Sequence, residues 1–85
     1  MSMDFYAIIG WVGAVSYILA YFLLVIKVLS AEQATYHAMN AFGGICLVIN
    51  ALILSDMPNI VVNAVWGGLA FFALAKILRL RLAKS

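Results

Sequence analysis

Three long apolar runs, separated by two short polar segments, dominate the pattern of this chain. The stretches 5–26, 36–54 and 59–75 contain no Asp, Glu, Lys or Arg. Each approaches the roughly 20 residues that a helix needs to cross about 30 Å of hydrocarbon. The pattern therefore predicts an all-α membrane protein with three transmembrane helices, at about 5–26, 36–54 and 59–78. At 85 residues, we expect one domain, 1–85.

The two polar segments predict how the helices connect. The stretch 27–35 is long enough to turn a helix back at the membrane interface. The second segment, Ser55-Asp56-Met57-Pro58, is tighter. Ser55 or Asp56 can cap the third helix, and Pro58 falls in its first turn, where a missing N–H does no harm. The second and third helices should therefore form an antiparallel hairpin.

Composition and charge support lipid as the solvent and indicate an orientation. The chain is 68% hydrophobic and 9% charged, which leaves too few polar residues to cover a soluble core. Every cationic side chain lies in the first connector or after the third run: Lys27, Lys76, Arg79, Arg81 and Lys84. The positive-inside rule then predicts a multi-pass protein of the inner (plasma) membrane, with the N-terminus outside and the C-terminus in the cytoplasm.

The residue types that carry catalysis are scarce and scattered. The acids Asp4, Glu32 and Asp56 fall at membrane ends, and no two of them are placed as a pair. His37 is the sole imidazole and has no second ligand at metal spacing. It is either an interfacial residue or a proton-sensitive gate at the cytoplasmic mouth. We therefore expect that the protein is not an enzyme and that it binds no cofactor and no metal. The basic C-terminal segment either only sets the membrane orientation, as clustered cations commonly do, or also binds anionic membrane lipid. Nothing in it indicates nucleic-acid binding.

Two asparagines, Asn50 and Asn63, lie in the middle of apolar runs. A carboxamide in hydrocarbon costs several kcal/mol unless something bonds it. Such residues therefore turn towards other helices or a watery cavity, and the default interpretation is a functional site. Helical spacing adds neighbours on the same faces, so the candidate solute-binding residues are Asn63, Asn50, Trp66, Asn40 and Tyr17. The candidate packing or hinge residues are Gly10, Gly13, Gly43, Gly67 and Pro58.

Some of these residues resemble a known family. The matching positions are Val15-Ser16-Tyr17-Ile18, Gly43, Ser55-Asp56-Met57-Pro58 and Asn63, and they look like the bacterial SemiSWEET half-transporters. The resemblance implies a triple-helix bundle packed in the order first, third, second, with two parallel copies around a path for small sugars. It also implies a solute-binding role for Asn63. Leu19-Ala20 stands where that family has a Pro-Gln hinge, and Leu47 where it has a stacking tryptophan.

A closer resemblance covers nearly the whole chain. Its positions are Gly10-Trp11-x-Gly13-Ala14, Ala20-Tyr21, Tyr36, Asn40, Gly43, Asn50, Pro58 and Asn63-x-x-Trp66. They are similar to a family of small, uncharacterised three-helix bacterial membrane proteins, distantly related to the SemiSWEETs. This resemblance implies a fold but no activity. In this pattern Asn50 and Trp66 supply the amide and the aromatic surface that Leu47 lacks.

Two functional hypotheses follow. The first is a parallel homodimer that moves a small, neutral, polar solute, sugar-like in chemistry, by alternating access. Because the apolar runs hold no acid, Lys or Arg to carry a coupling ion, facilitated diffusion is favoured over symport. The second is a structural or regulatory membrane protein whose buried asparagines mediate helix or partner association.

The charge asymmetry predicts a single orientation. A C-terminal reporter should be cytoplasmic, and a cysteine introduced at Ser55 should react with a membrane-impermeant maleimide from outside the cell, because all five cations fall on the opposite side. Labelling of Ser55→Cys from both sides would mean dual topology, which would replace the parallel dimer with an antiparallel one.

Overall fold

The computed structural model describes residues 4–84 as three α-helices: α1 (Phe5–Val25), α2 (Ala34–Leu54) and α3 (Met57–Lys84). Residues 1–3 and 85 of the predicted domain lie outside this description. No strand occurs between residues 4 and 84, and each helix is long and apolar enough to cross a membrane. The predicted class, an all-α protein with three helices long and apolar enough to span a membrane, is confirmed.

The turn between α2 and α3 forms as the sequence predicts. Ser55 closes α2 in the left-handed conformation, with φ 54°. The Asp56 carboxylate accepts a hydrogen bond from the N–H of Asn59 at 3.4 Å, and Pro58 lies in the first turn of α3. Asp56 is thus the predicted cap, and its pairing with the start of α3 fixes the antiparallel hairpin.

The first connector is held together by its own polar groups. The N–H of Ser30 donates to the side-chain oxygen of Gln33 at 2.6 Å, and the N–H of Gln33 donates to the Ser30 carbonyl at 3.0 Å. Lys27, with φ 66°, reverses the chain after α1. The second helix begins at Ala34, directly after Gln33. This is two residues before the predicted start.

The third helix is longer than the sequence predicts. It continues to Lys84, beyond the predicted end at residue 78, because arginine and lysine are good helix formers and cations favour a helix C-terminus. A fall in hydropathy along the sequence indicates where the hydrocarbon layer ends. It does not indicate where the helix itself ends. With 28 residues against 21 in α2, α3 extends about 10 Å further, which contributes to the 50 Å long dimension of the molecule.

The second helix lies in the middle of the bundle. It packs against both α1 and α3, and within residues 4–84 no Cα of α1 comes within 8 Å of a Cα of α3. The order first, third, second, which the SemiSWEET resemblance implies, is therefore wrong for this chain. Its order is first, second, third.

Small residues on two faces of α2 account for this order. A methyl group added to Gly13 of α1 would lie 2.8 Å from the carbonyl oxygen of Gly43. On the other face, a methyl group added to Gly44 would lie 2.9 Å from the Cα of Gly67 in α3. Both neighbours therefore approach the backbone of α2 directly, as small residues allow in lipid. The candidate packing residues from sequence include Gly43 and Gly67, and the structure adds that Gly44 forms the second close contact of α2.

Large side chains face outward from this bundle. The buried apolar residues are all small: Ala20, Ala41, Cys46, Ala51 and Ala70. Aromatic and branched residues such as Phe5, Ile18 and Phe72 are more than two-thirds exposed. This is the distribution expected where lipid tails are as apolar as the protein, so that close packing and interhelical hydrogen bonds hold the helices together. One such bond joins α1 to α2, from the Ser16 hydroxyl to the Met39 carbonyl at 2.9 Å.

Alanine substitutions should separate close contacts from open positions. In Gly13→Ala and Gly44→Ala the added methyl meets backbone atoms at 2.8 and 2.9 Å, so each variant should lose about 1–3 kcal/mol. Gly68 has no other atom within 4 Å of an added methyl, and Gly68→Ala should match or exceed wild-type stability through its better helix propensity. Unfolding in mixed micelles, followed by far-UV circular dichroism, measures all three. Equal midpoints for Gly44→Ala and Gly68→Ala would contradict the α2–α3 packing.

Candidate functional site

A cleft opens between the two outer helices, with α2 as its floor. Its volume is about 440 Å³, within the range of small-molecule sites. Because α1 and α3 stand apart, all three helices contribute to its wall. The lining residues are Tyr17, Tyr21, Tyr36, His37, Asn40, Trp66, Leu69 and Ala70.

The cleft lies towards the end of the bundle that carries the first connector. Tyr21 is one turn from the end of α1, and Tyr36 and His37 are in the first turn of α2. On the predicted orientation this is the cytoplasmic half. None of the lining residues is Asp, Glu, Lys or Arg, so the wall offers aromatic faces and neutral hydrogen-bonding groups.

The hydroxyl of Tyr17 is shielded from solvent and has no hydrogen-bond partner among residues 4–84. It lies over the backbone of α2, since a methyl group on Gly44 would be 3.0 Å from it. A buried polar group without a partner costs about 1–3 kcal/mol. This oxygen is therefore a donor and acceptor that the protein itself does not use.

Asn40 keeps part of its hydrogen-bonding capacity. Its Nδ2 donates to the Tyr36 carbonyl at 3.0 Å, one turn earlier in α2. A carboxamide has two N–H donors and a carbonyl oxygen. One N–H fixes the side chain against its own helix, which leaves the second N–H and the oxygen for another molecule.

His37 closes the end of the cleft nearest the connector. Its Nε2 lies 2.5 Å from the Ala31 carbonyl; since a carbonyl oxygen can only accept, Nε2 must carry the hydrogen. The ring also meets Tyr36 edge to face, with centroids 5.2 Å apart. The imidazole thus ties the connector to α2. Its role as a proton-sensitive gate stays a prediction.

Asn63 is buried but does not line this cleft. Only 7% of its surface is exposed, and its Nδ2 donates to the Asn59 carbonyl at 3.0 Å and also bonds the Asn59 side chain. These bonds lie within the first turns of α3. A solute-binding role for Asn63 therefore stays a prediction, and in this conformation its amide stabilises its own helix.

Asn50 lies elsewhere, in the contact between α2 and α1. Its Nδ2 donates to the Tyr6 carbonyl at 2.9 Å, and its carboxamide covers Gly10, where a methyl group would lie 2.7 Å from Cγ. With Trp11 it lines a separate depression of about 260 Å³. Of the five predicted binding residues, the structure brings together Tyr17, Asn40 and Trp66.

The predicted packing residues also occupy defined positions. Gly10, Gly13 and Gly43 meet atoms of a neighbouring helix at the α1–α2 contact, and Gly67 meets Gly44 at the α2–α3 contact. Pro58 is the second residue of α3. Their proposed role in sliding or hinge motion stays a prediction.

Sequence reasoning missed Tyr21 and Tyr36 as part of the cleft, and it considered His37 only as an interfacial residue or a gate. A signal was present, because Tyr17 and Tyr21 are four residues apart on α1, and so are Tyr36 and Asn40 on α2. Extending the helix face of Tyr17 on α1, and that of Asn40 on α2, by one helical turn reaches these side chains. Within residues 4–84, no three His, Cys, Asp or Glu side chains gather as a metal site.

The comparisons with known proteins identify a family and leave the activity open. Residues 6–81 match the sequence model of a small, uncharacterised protein family, so the chain belongs to that family. No protein of curated function and no solved structure matches it significantly. A relation to the SemiSWEETs rests on the local residue pattern alone.

Removing the Tyr17 hydroxyl should not destabilise the fold. Because that oxygen is buried without a partner, Tyr17→Phe should unfold at the wild-type midpoint or above it, by up to about 1 kcal/mol. Tyr21→Phe, from an exposed tyrosine of the same helix, is the matched control. Unfolding in mixed micelles measures both variants. A clear loss of stability in Tyr17→Phe alone would show that the hydroxyl bonds the protein.

Proposed function

We propose that two copies of this chain pair in parallel and move a small, neutral, polar solute, sugar-like in chemistry, across the membrane. Transport would proceed by facilitated diffusion with alternating access. The observation that supports this most strongly is the cleft between α1 and α3, whose wall combines aromatic faces with a buried, unpartnered hydroxyl. That combination is typical of sites that stack on a ring and bond its hydroxyl groups.

A second copy completes the site. In a single chain the cleft is open at its side, where lipid tails would meet the Asn40 amide without bonding it. A two-fold axis parallel to the helices would place an identical wall opposite. The enlarged cavity would then be separated from lipid, and the solute would replace water on the polar groups of both copies.

The position of Trp66 also favours pairing of the two copies through the face that carries the cleft. Its side chain is 60% exposed and lies nine residues into α3, about 14 Å along the helix. Tryptophans that face lipid usually lie at the membrane interfaces, because the indole N–H needs a polar partner. At mid-membrane depth, pairing would bring this indole into the path, where its ring would stack on the solute.

The distribution of interhelical bonds favours α3 as the moving helix. Side-chain hydrogen bonds from Ser16 and Asn50 join α1 to α2. The contact of α2 with α3 includes the glycine pair Gly44 and Gly67, which can slide without breaking a bond. A shift of α3 would carry Trp66 with it and expose the solute to the other side. The lining holds no Asp, Glu, Lys or Arg to carry a coupling ion, which supports an uncoupled mechanism.

The structural or regulatory alternative also has support. Asn50 donates to α1 and Asn63 to its own helix, so both amides act as internal bonds in this conformation. On this alternative, the exposed face of α3 would bind a different membrane protein, and the cleft would hold one of its side chains.

Flux through reconstituted vesicles distinguishes the two functions. Stopped-flow light scattering should show faster re-swelling with one or more of glycerol, a pentose, a hexose and a disaccharide when wild-type protein is present. Asn40→Leu and Trp66→Leu should each lower that rate at least about tenfold, because a lost solute contact of roughly 1.4 kcal/mol has no substitute. Both should keep the wild-type helix content, since Asn40 bonds only its own helix.

Phe71→Leu is the matched control for these variants, because Phe71 is an exposed aromatic residue of α3 outside the cleft lining. It should conduct as wild type does. Equal loss in Phe71→Leu would indicate a general effect on α3. No flux for any solute, or a chain that stays monomeric in the vesicles, would favour the structural alternative.

A further inference from the structure

The end of α3 projects beyond the other helices and carries most of the positive charge. If α2 and α3 are level at their tight turn, the extra seven residues of α3 reach about 10 Å past the start of α2. The headgroup layer of one leaflet is about 5–8 Å thick. The projecting turns therefore lie at headgroup depth, and Arg79 is among them.

A groove about 680 Å³ in volume runs along one side of this part of the helix. Its lining is apolar at Phe72 and Ala75 and cationic at Lys76 and Arg79, and it becomes apolar again at the outer end, at Leu80, Leu82 and Ala83. Positions 72, 76 and 79 share a helix face, being four and three residues apart. The two cations thus stand next to an apolar stretch on their inner side, at the spacing at which a phospholipid joins its phosphate to an acyl chain.

The charges in the groove have no counter-ion within the part of the chain that the structure describes. Among residues 4–84, neither Lys76 nor Arg79 forms an ion pair with a carboxylate, and Glu32 is the one acid of the first connector, at the same end. An arginine guanidinium matches phosphate oxygens with two hydrogen bonds, and a lysine ammonium adds a point charge.

We propose that this groove binds an anionic phospholipid, with Lys76 and Arg79 on its phosphate and an acyl chain along Phe72 and Ala75. Juxtamembrane cations attract the anionic lipids of the cytoplasmic leaflet, which agrees with the orientation predicted from charge. The site is independent of solute transport. It lies on α3 alone and shares no lining residue with the cleft.

Native mass spectrometry of the detergent-solubilised protein tests this site with phosphatidylglycerol and phosphatidylcholine of identical chains. Wild-type protein should retain phosphatidylglycerol at least about tenfold more strongly than phosphatidylcholine. The double variant Lys76→Gln/Arg79→Gln should lose this preference. Arg81→Gln/Lys84→Gln removes the same charge from residues outside the groove and should keep most of it.

Other outcomes overturn the proposal. Equal loss in the two double variants would mean a diffuse attraction to net charge and no defined site. Equal retention of the two lipids by the wild type would remove the phosphate contact altogether. Glycerol 3-phosphate should not displace the bound lipid, because it lacks the acyl chain that packs on Phe72; displacement would point to a soluble phosphate ligand.

Discussion

The close approach of backbones on both faces of α2 is the constraint on which the rest of this structure depends. In lipid there is no hydrophobic gain from bringing apolar helices together, so contact distance decides which helices pair. Gly43 admits α1 on one face and Gly44 admits α3 on the other. Because α2 occupies the centre, α1 and α3 stand apart, and the cleft is the space left between them.

The same environment sorts the polar side chains into two groups. Asn40, Asn50 and Asn63 each donate to a carbonyl of the protein, which lowers the cost of placing an amide in hydrocarbon. The Tyr17 hydroxyl, in a residue that lines the cleft, is buried and has no partner among residues 4–84. Depth in an apolar run identifies polar residues that need a partner. Only the packing shows which of them find that partner within the chain.

Much of the fold could be predicted from sequence, because helix number, the hairpin and the Asp56 cap depend on local chemistry. The order of helices could not. Helical spacing identifies one helix face at a time. The second helix has two close-packing faces, one that includes Gly43 and one that includes the next residue, Gly44. Either face predicts that a helix packs closely against α2, but neither identifies which helix it is. Helical spacing likewise identified Tyr17, Asn40 and Trp66 as candidates. It could not show that they lie apart from Asn50, because that separation depends on which helices pack together.

The asymmetry of the two helix contacts links the site to the membrane. Hydrogen bonds from Ser16 and Asn50 hold α1 to α2, so those helices behave as one unit. At the contact of α3 with that unit, Gly67 meets Gly44, and the projecting end of α3 carries the cationic groove at headgroup depth. A lipid bound there would fix the height of α3 in the bilayer. Movement of α3 relative to the α1–α2 pair, which would change the cleft, would then turn about this anchored end and carry Trp66 with it.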